Sequence, residues 1–509
     1  MNHNSRTKNS IRNSSVGMIA QIIALLMGFI TRVIFTHTLS QGYVGINGLF
    51  TDILNLLSLT ELGVGTAITY ALYEPIASND IKKQKIIMNV FRNLYRITAC
   101  IVFILGISII PFLNILMKNR PDVDHIVLIY MLYLMNSVIS YLFVYKKTLI
   151  EAYQQSYITV LYHNGFIVLQ DIIQIFVLLL TKNFILFLVV AILCTSIGNF
   201  CMSKTADHMF PFLKEKCTDR LNLRDRKEIL GNIKAAFVRK LSYVVVANTD
   251  NLLISGFVGV ISSGIYSNYF LLIGSIRQVV EQILNGAAAS IGNFNKTESA
   301  EKTEEIYKML FFISQWLFGF CAICLFELLN PFIEMVFGKH YLFAESIVFV
   351  LCLNFFLNGL RRPTAIFQES MGLFIYDQKK AVMEAIVNLV ASILLVYKLG
   401  ILGIFIGTFI STACVSLWYE PYIVYKHGFH KKCSKFFMMF LMNVLIVFIT
   451  GGITYFISNF IQGGVFIVFL YRLLVCCIVP NLLFIAIYRH NSFFNTLKKT
   501  ITKELNRKI

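Results

Sequence analysis

Residues 243–256 read YVVVANTDNLLISG, an apolar run broken by Asn248, Thr249, Asp250 and Asn251 in succession. A carboxylate carried into a bilayer on such a run costs roughly 2.5–3.5 kcal/mol. Asp250 must therefore sit in a loop or on a helix with one side shielded from lipid. The rest of the chain decides between these. Of 509 residues, 57% are hydrophobic and only 14% charged, and the mean hydropathy is +0.70. That composition is too apolar for the surface of a soluble protein and places the chain among polytopic membrane proteins. Asp250 then belongs to a span with a wet or protein-lined side.

A membrane-spanning helix needs about 20 mostly apolar residues. On that rule the sequence predicts fourteen spans, an all-α polytopic fold: 16–39, 44–72, 88–117, 126–149, 155–180, 184–205, 234–258, 261–290, 307–336, 343–371, 378–398, 400–425, 436–458 and 464–488. With the N-terminus inside, 37 of the 45 Lys and Arg fall on the inner loops and tails. Five fall outside (Lys118, Arg120, Lys182, Lys339, Lys398), and Arg32, Arg277 and Arg472 lie within spans. Such asymmetry predicts that both termini are cytoplasmic. It also accounts for the formal charge of +18 without a nucleic-acid partner. The polar, basic start MNHNSRTKNSIRNSS leads into an apolar segment too long for a signal-peptide core, so the first span is expected to be retained.

Most of the eleven cysteines lie in apolar runs. Cys321 and Cys324 form a C-x-x-C inside GFCAICLF, where thiolates would be costly to bury, so no metal or redox role is expected. Every loop is short, the longest inner one being near 206–233, and no G-x-x-x-x-G-K-[ST] occurs. Neither an enzyme domain nor an ATP-driven pump fits. No cofactor is expected beyond a coupling H⁺ or Na⁺.

The chain also reads as two halves. YVGINGLFTDILNLLSLTELGVGT (43–66) lies against GIYSNYFLLIGSIRQVVEQILNGA (264–287), PFLNIL (111–116) against PFIEMV (331–336), and TLIEAYQQ (148–155) against IFQESMGL (366–373). These echoes give a six-helix repeat, hence parallel halves. The expected organisation is an N-terminal lobe at 1–206, a cytoplasmic linker at 207–233, a C-terminal lobe at 234–430, and two extra helices with a basic tail at 431–509. Two such bundles enclosing a cleft suit alternating access.

Three segments carry a resemblance. TRVIFTHTLSQGYVGI (31–46) resembles the R…LG..xYG signature of the multidrug/oligosaccharidyl-lipid/polysaccharide (MOP) flippase superfamily. LSLTELGVGTAITYALYEPIASND (57–80), with Glu61, Gly63, Gly65 and Ala67, looks like the end of the second span in the polysaccharide-export branch. TDNLLISGFVGVISSGIYSNYFLL (249–272) is similar to the D..lis...G....G.YS segment at Asp250, Gly264, Tyr266 and Ser267. The chain departs at SQG (40–42), where many members read L-G-x-x. The resemblance implies a flippase for undecaprenyl-pyrophosphate-linked oligosaccharide, serving O-antigen or capsule synthesis in the bacterial cytoplasmic membrane. Polysaccharide polymerase and glycosyltransferases would be its partners.

Ionic groups within spans are then the candidate site. Arg32 suits a lipid pyrophosphate through bidentate hydrogen bonds, or snorkels to headgroups. Asp250 would line the cleft, pair with Arg32 or hold the coupling ion; alternatively it clamps the halves. Asp171, with Gln170 and Gln174, offers contacts to sugar hydroxyls or between helices. Arg277 and Glu281, four apart, share a face and are expected to neutralise each other. Asp52, Glu61 and Glu281 are the coupling or gating candidates. Arg361 and Arg362 point to different helix faces, so at least one is expected at a cavity mouth. A peptidoglycan-precursor flippase and a drug/cation antiporter are the rivals within the superfamily. From another class the rival is an integral-membrane polymerase, which would need a larger loop.

Overall fold

A computed structural model describes residues 3–58, 64–118, 120–142, 144–153, 155–215, 249–297, 300–371, 373–461 and 463–496. Every regular element in them is helical. The first eight helices are α1 (His3–Thr38), α2 (Gln41–Leu57), α3 (Val64–Ala77), α4 (Ile81–Ile109), α5 (Ile126–Tyr141), α6 (Val144–Ala152), α7 (Ser156–Thr181) and α8 (Phe184–Met209). After a π-helical turn at Ile254–Val258 come α9 (Val260–Thr297), α10 (Ala300–Phe337), α11 (Glu345–Met371), α12 (Phe374–Leu399), α13 (Ile401–Ser411), α14 (Leu417–Ile423), α15 (Ser434–Ser458) and α16 (Val465–Tyr488). Two further π-helical turns, Thr412–Ser416 and Val424–Phe429, flank α14.

Among the described residues, nine helices are long and apolar enough to cross a membrane, and α5 with α6, bent by 41°, makes ten. The chain is a multi-pass membrane protein. These ten match predicted spans 1, 3 to 6, 9 and 11 to 14. Span 2 appears as α2 and α3, and spans 8 and 10 appear as α9 and α11, whose polar residues dilute their hydropathy. Span 7 lies mostly outside the described residues.

Helix ends follow local chemistry. Asp80 caps α4 by accepting from the Lys83 N–H at 2.8 Å, and Asn183 caps α8 by accepting from the Leu186 N–H at 3.1 Å; each satisfies an amide that no helical carbonyl can reach. The burial pattern differs from that of a soluble protein in its apolar surface and in the hydroxyls and amides buried within its apolar core. Leu180 is 81% exposed and Tyr397 74%, while Ser314, Gln315, Ser392 and Thr450 are wholly buried. Exposed apolar side chains are stable because lipid tails are their solvent, and buried hydroxyls and amides link neighbouring helices.

The chain divides into two compact units, Met1–Gly264 and Ile265–Ile509. In the first, α7 packs on α1 and α8, and α5 packs on α4 and α8. Residues 249–264 belong to this unit. A Cβ on Gly45 would stand 2.2 Å from the Val260 carbonyl oxygen, so α2 can meet the start of α9 only through glycine. In the second unit α12 and α13 form a tight hairpin, and α10 packs on α11 and α16. The Gln315 amide donates to the Tyr488 hydroxyl (2.8 Å), which donates to Asn443 Oδ1 (2.9 Å), tying α10 to α15 and α16.

Candidate functional site

In the first unit the helix-spanning polar residues form two groups. Arg32 is buried (8% exposed) on α1, with its guanidinium 5.7 Å from the Phe35 ring centre. Phe35 in turn packs against Phe184 and Phe187 of α8, so the cation rests on an aromatic wall. Asp171 of α7, 6% exposed, faces α1 at Gly28 and Thr31, and among the described residues its Oδ2 has no partner in good hydrogen-bond geometry. Its neighbours behave differently. Gln174 donates to the Phe187 carbonyl at 2.9 Å and so fastens α7 to α8, while the Gln170 amide donates to Gln174 Oε1 at 3.3 Å. Of the three polar residues predicted together on this span, Gln174 is a helix-packing residue.

Asp52 of α2 accepts a hydrogen bond from the Asn251 amide, and Asn251 Oδ1 accepts from Ser263 Oγ at 2.7 Å. The carboxylate thus holds residues 251–263 against α2. Asp250, 9% exposed, is buried beside this chain of bonds. Glu61 lies outside the described residues.

The second unit revises one expectation. Arg277 and Glu281 do not neutralise each other: among the described residues Arg277 makes no ion pair, and its buried Nε has no hydrogen-bond partner. Arginine placed N-terminal to glutamate at this spacing is the weaker orientation on a helix, which fits the outcome. Of Arg361 and Arg362, at least one of which is expected at a cavity mouth, Arg361 lies inside a closed cluster. Its Nη1 is 2.7 Å from Glu384 Oε1 and its Nη2 is 2.7 Å from Glu420 Oε1. Lys380 Nζ is 2.6 Å from the same Glu420 oxygen and 3.8 Å from Glu384 Oε2. Two cations and two carboxylates cancel, joining α11, α12 and α14. Burying four charges is tolerable only because each has an opposite partner within hydrogen-bond reach. Sequence reading did not single out Lys380 or Glu420; the Lys380–Glu384 spacing of four was the available signal.

Farther along α10, Glu327 accepts from Ser458 Oγ, and Arg472 bridges the Glu327 carbonyl (3.2 Å) and Asn459 Oδ1 (2.7 Å). Cys324 Sγ lies 4.0 Å from the Cys476 carbonyl oxygen in the same helix packing. Among the described residues no group of three His, Cys, Asp or Glu side chains is arranged to hold a metal.

No family model and no curated protein matches the chain. Solved structures do. A lipid II flippase MurJ in an inward closed conformation shares 14% identity over 93% of this chain and 99% of its own, with a TM-score of 0.65. An inward-facing multidrug resistance MATE transporter of the MOP superfamily shares 16% identity over 81% of this chain and 98% of its own, at 0.59. A point mutant of the Vibrio cholerae MATE transporter VcmN shares 10% identity over 84% and 98%, at 0.57. All three extend over nearly their whole length, which leaves no room for a chance local match. The chain has the fold of the MOP flippase and transporter superfamily.

Proposed function

We propose that this protein is a flippase that carries the anionic headgroup of a lipid-linked oligosaccharide across the bacterial cytoplasmic membrane. The polyprenyl tail stays in lipid, and the headgroup is exposed alternately to each side. The observation that carries the reading is Arg277. It is a guanidinium on α9 with no ion pair among the described residues, in a unit that neutralises Arg361 completely. A guanidinium left so is a site for an incoming anion, which a diphosphate supplies bidentately. Arg32 is the corresponding cation of the first unit. Asp171, with one oxygen bare of hydrogen bonds, is the group there best placed to take up a coupling H⁺ or Na⁺.

The fold comparisons include a protein described as a lipid II flippase and proteins described as multidrug resistance transporters. Arg277 favours the first of these classes, because a diphosphate supplies the anion that its guanidinium lacks and a cationic drug does not. Undecaprenyl pyrophosphate is the proposed lipid, surface polysaccharide the proposed product, and a polymerase and glycosyltransferases the proposed partners.

The test uses purified protein in liposomes containing polyprenyl-diphosphate-linked N-acetylglucosamine. Transbilayer movement is read as accessibility of the sugar to a membrane-impermeant glycosyltransferase. Arg277→Ala should slow movement about tenfold or more, the loss of a charge-assisted hydrogen bond. Unchanged movement in that variant, or glycan polymerisation without movement by the parent, ends the reading.

A further inference from the structure

A cavity of about 210 Å³ opens in the first unit between α5, α6, α7 and α8. Its polar wall includes Lys147, Tyr162, His163, Gln170, Thr195 and Asn199. Among the described residues no hydrogen bond engages the side chains of His163, Thr195 or Asn199. Lys147 has only a 3.7 Å approach to Glu151, and Gln170 spends one amide proton on Gln174, leaving its carbonyl oxygen open. Lipid tails cannot satisfy such groups, so the cavity holds water or a polar ligand.

Two rings of the wall, Phe166 and Tyr162, are fixed in place. Phe166 lies directly on the α8 backbone, where a Cβ on Gly198 would meet its ring at 2.8 Å. Tyr162 is held through its hydroxyl, 2.8 Å from Thr205 Oγ1. The volume is below the roughly 300–1,000 Å³ of sites for drug-sized ligands and suits a single ring.

The geometry points to a subsite for one sugar ring. Planar amides at Gln170 and Asn199, an imidazole and a threonine hydroxyl can donate to and accept from neighbouring sugar hydroxyls, each of which does both. The Phe166 and Tyr162 rings offer an apolar surface to the C–H face of the ring. Lys147 stands where an acidic sugar would bring its carboxylate. The assignment rests on the flippase reading only for where the sugar comes from: it is one residue of the transported headgroup.

Binding is tested apart from transport. Full-length protein in nanodiscs is offered glucose, galactose, N-acetylglucosamine and glucuronate, and separately glycerol 3-phosphate, and saturation transfer to each is measured by NMR. At least one sugar should receive magnetisation, with a signal that falls about fivefold in Asn199→Ala or Gln170→Ala, one neutral hydrogen bond being removed. Thr195→Val repeats the test with little change of shape, and an unchanged melting temperature qualifies each variant. No transfer to any of the four sugars overturns the assignment, as does a signal undiminished in all three variants. Transfer to glycerol 3-phosphate alone also overturns it, in favour of a phospholipid headgroup. Headgroup movement in liposomes without sugar binding would remove the subsite and leave the flippase standing; sugar binding without movement would do the reverse.

Discussion

The Arg361 guanidinium and the Glu420 carboxylate, 59 residues apart in sequence, meet at 2.7 Å between Nη2 and Oε1, with Nε of the same arginine 3.1 Å from that oxygen. Glu384 grips the other side of the guanidinium, and Lys380 completes the neutral cluster. Removing one partner leaves charge buried without compensation, whereas removing all four leaves none.

Arg361→Met should therefore destabilise the protein by about 3–5 kcal/mol. Replacing the cluster together, as R361M/K380M/E384Q/E420Q, should recover most of that loss. Thermal unfolding in detergent, followed by light scattering, compares the two. A quadruple variant less stable than the single one contradicts this account of the cluster.

A double-mutant cycle separates Arg277 from Glu281. Since the two do not pair, their coupling energy for headgroup movement should lie within about 0.5 kcal/mol of zero. Glu281→Gln should also leave movement near the parent rate. A strong coupling would mean that the pair forms during transport.

Gly45 is fixed by the backbone of Val260. Gly45→Val should overpack the contact between α2 and α9 and cost about 1–3 kcal/mol. Gly274, with nothing within 4 Å of an added Cβ, provides the contrast. Gly274→Ala should leave the melting temperature unchanged or raise it slightly. Equal effects at both positions would deny the close approach.

Arg32→Ala and Asp250→Asn should each abolish surface glycan while the protein still reaches the membrane. Immunoblots of membrane fractions beside glycan staining read both quantities. Normal export in both variants would take these residues out of the mechanism.

Hydropathy made most of the spans legible, because lipid demands long uninterrupted apolar runs. It was weaker for α9 and α11. The latter carries Arg361, whose cost is offset by Glu384 and Glu420 on other helices that no local window can see. Within the site, Asp171 and Gln170 stood out as polar groups in apolar surroundings, and the structure places them on one helix with Gln174. Asn199 and Thr195 on α8 look like ordinary helix-packing residues until α7 brings His163 and Gln170 beside them. The Arg277–Glu281 spacing misled because sharing a face permits contact without requiring it. The adjacent arginines looked surplus until Glu384 and Glu420 met Arg361 from helices later in the chain.

The π-helical turns on either side of Glu420 have a mechanical meaning. A regular helix advances 100° per residue, so any local winding error is passed to everything beyond it. A π turn absorbs such an error where it occurs. Glu420 sits between Thr412–Ser416 and Val424–Phe429, and its angular setting is therefore insulated from both ends of the span. What pins the middle of the segment is the grip of the carboxylate on Arg361 and Lys380.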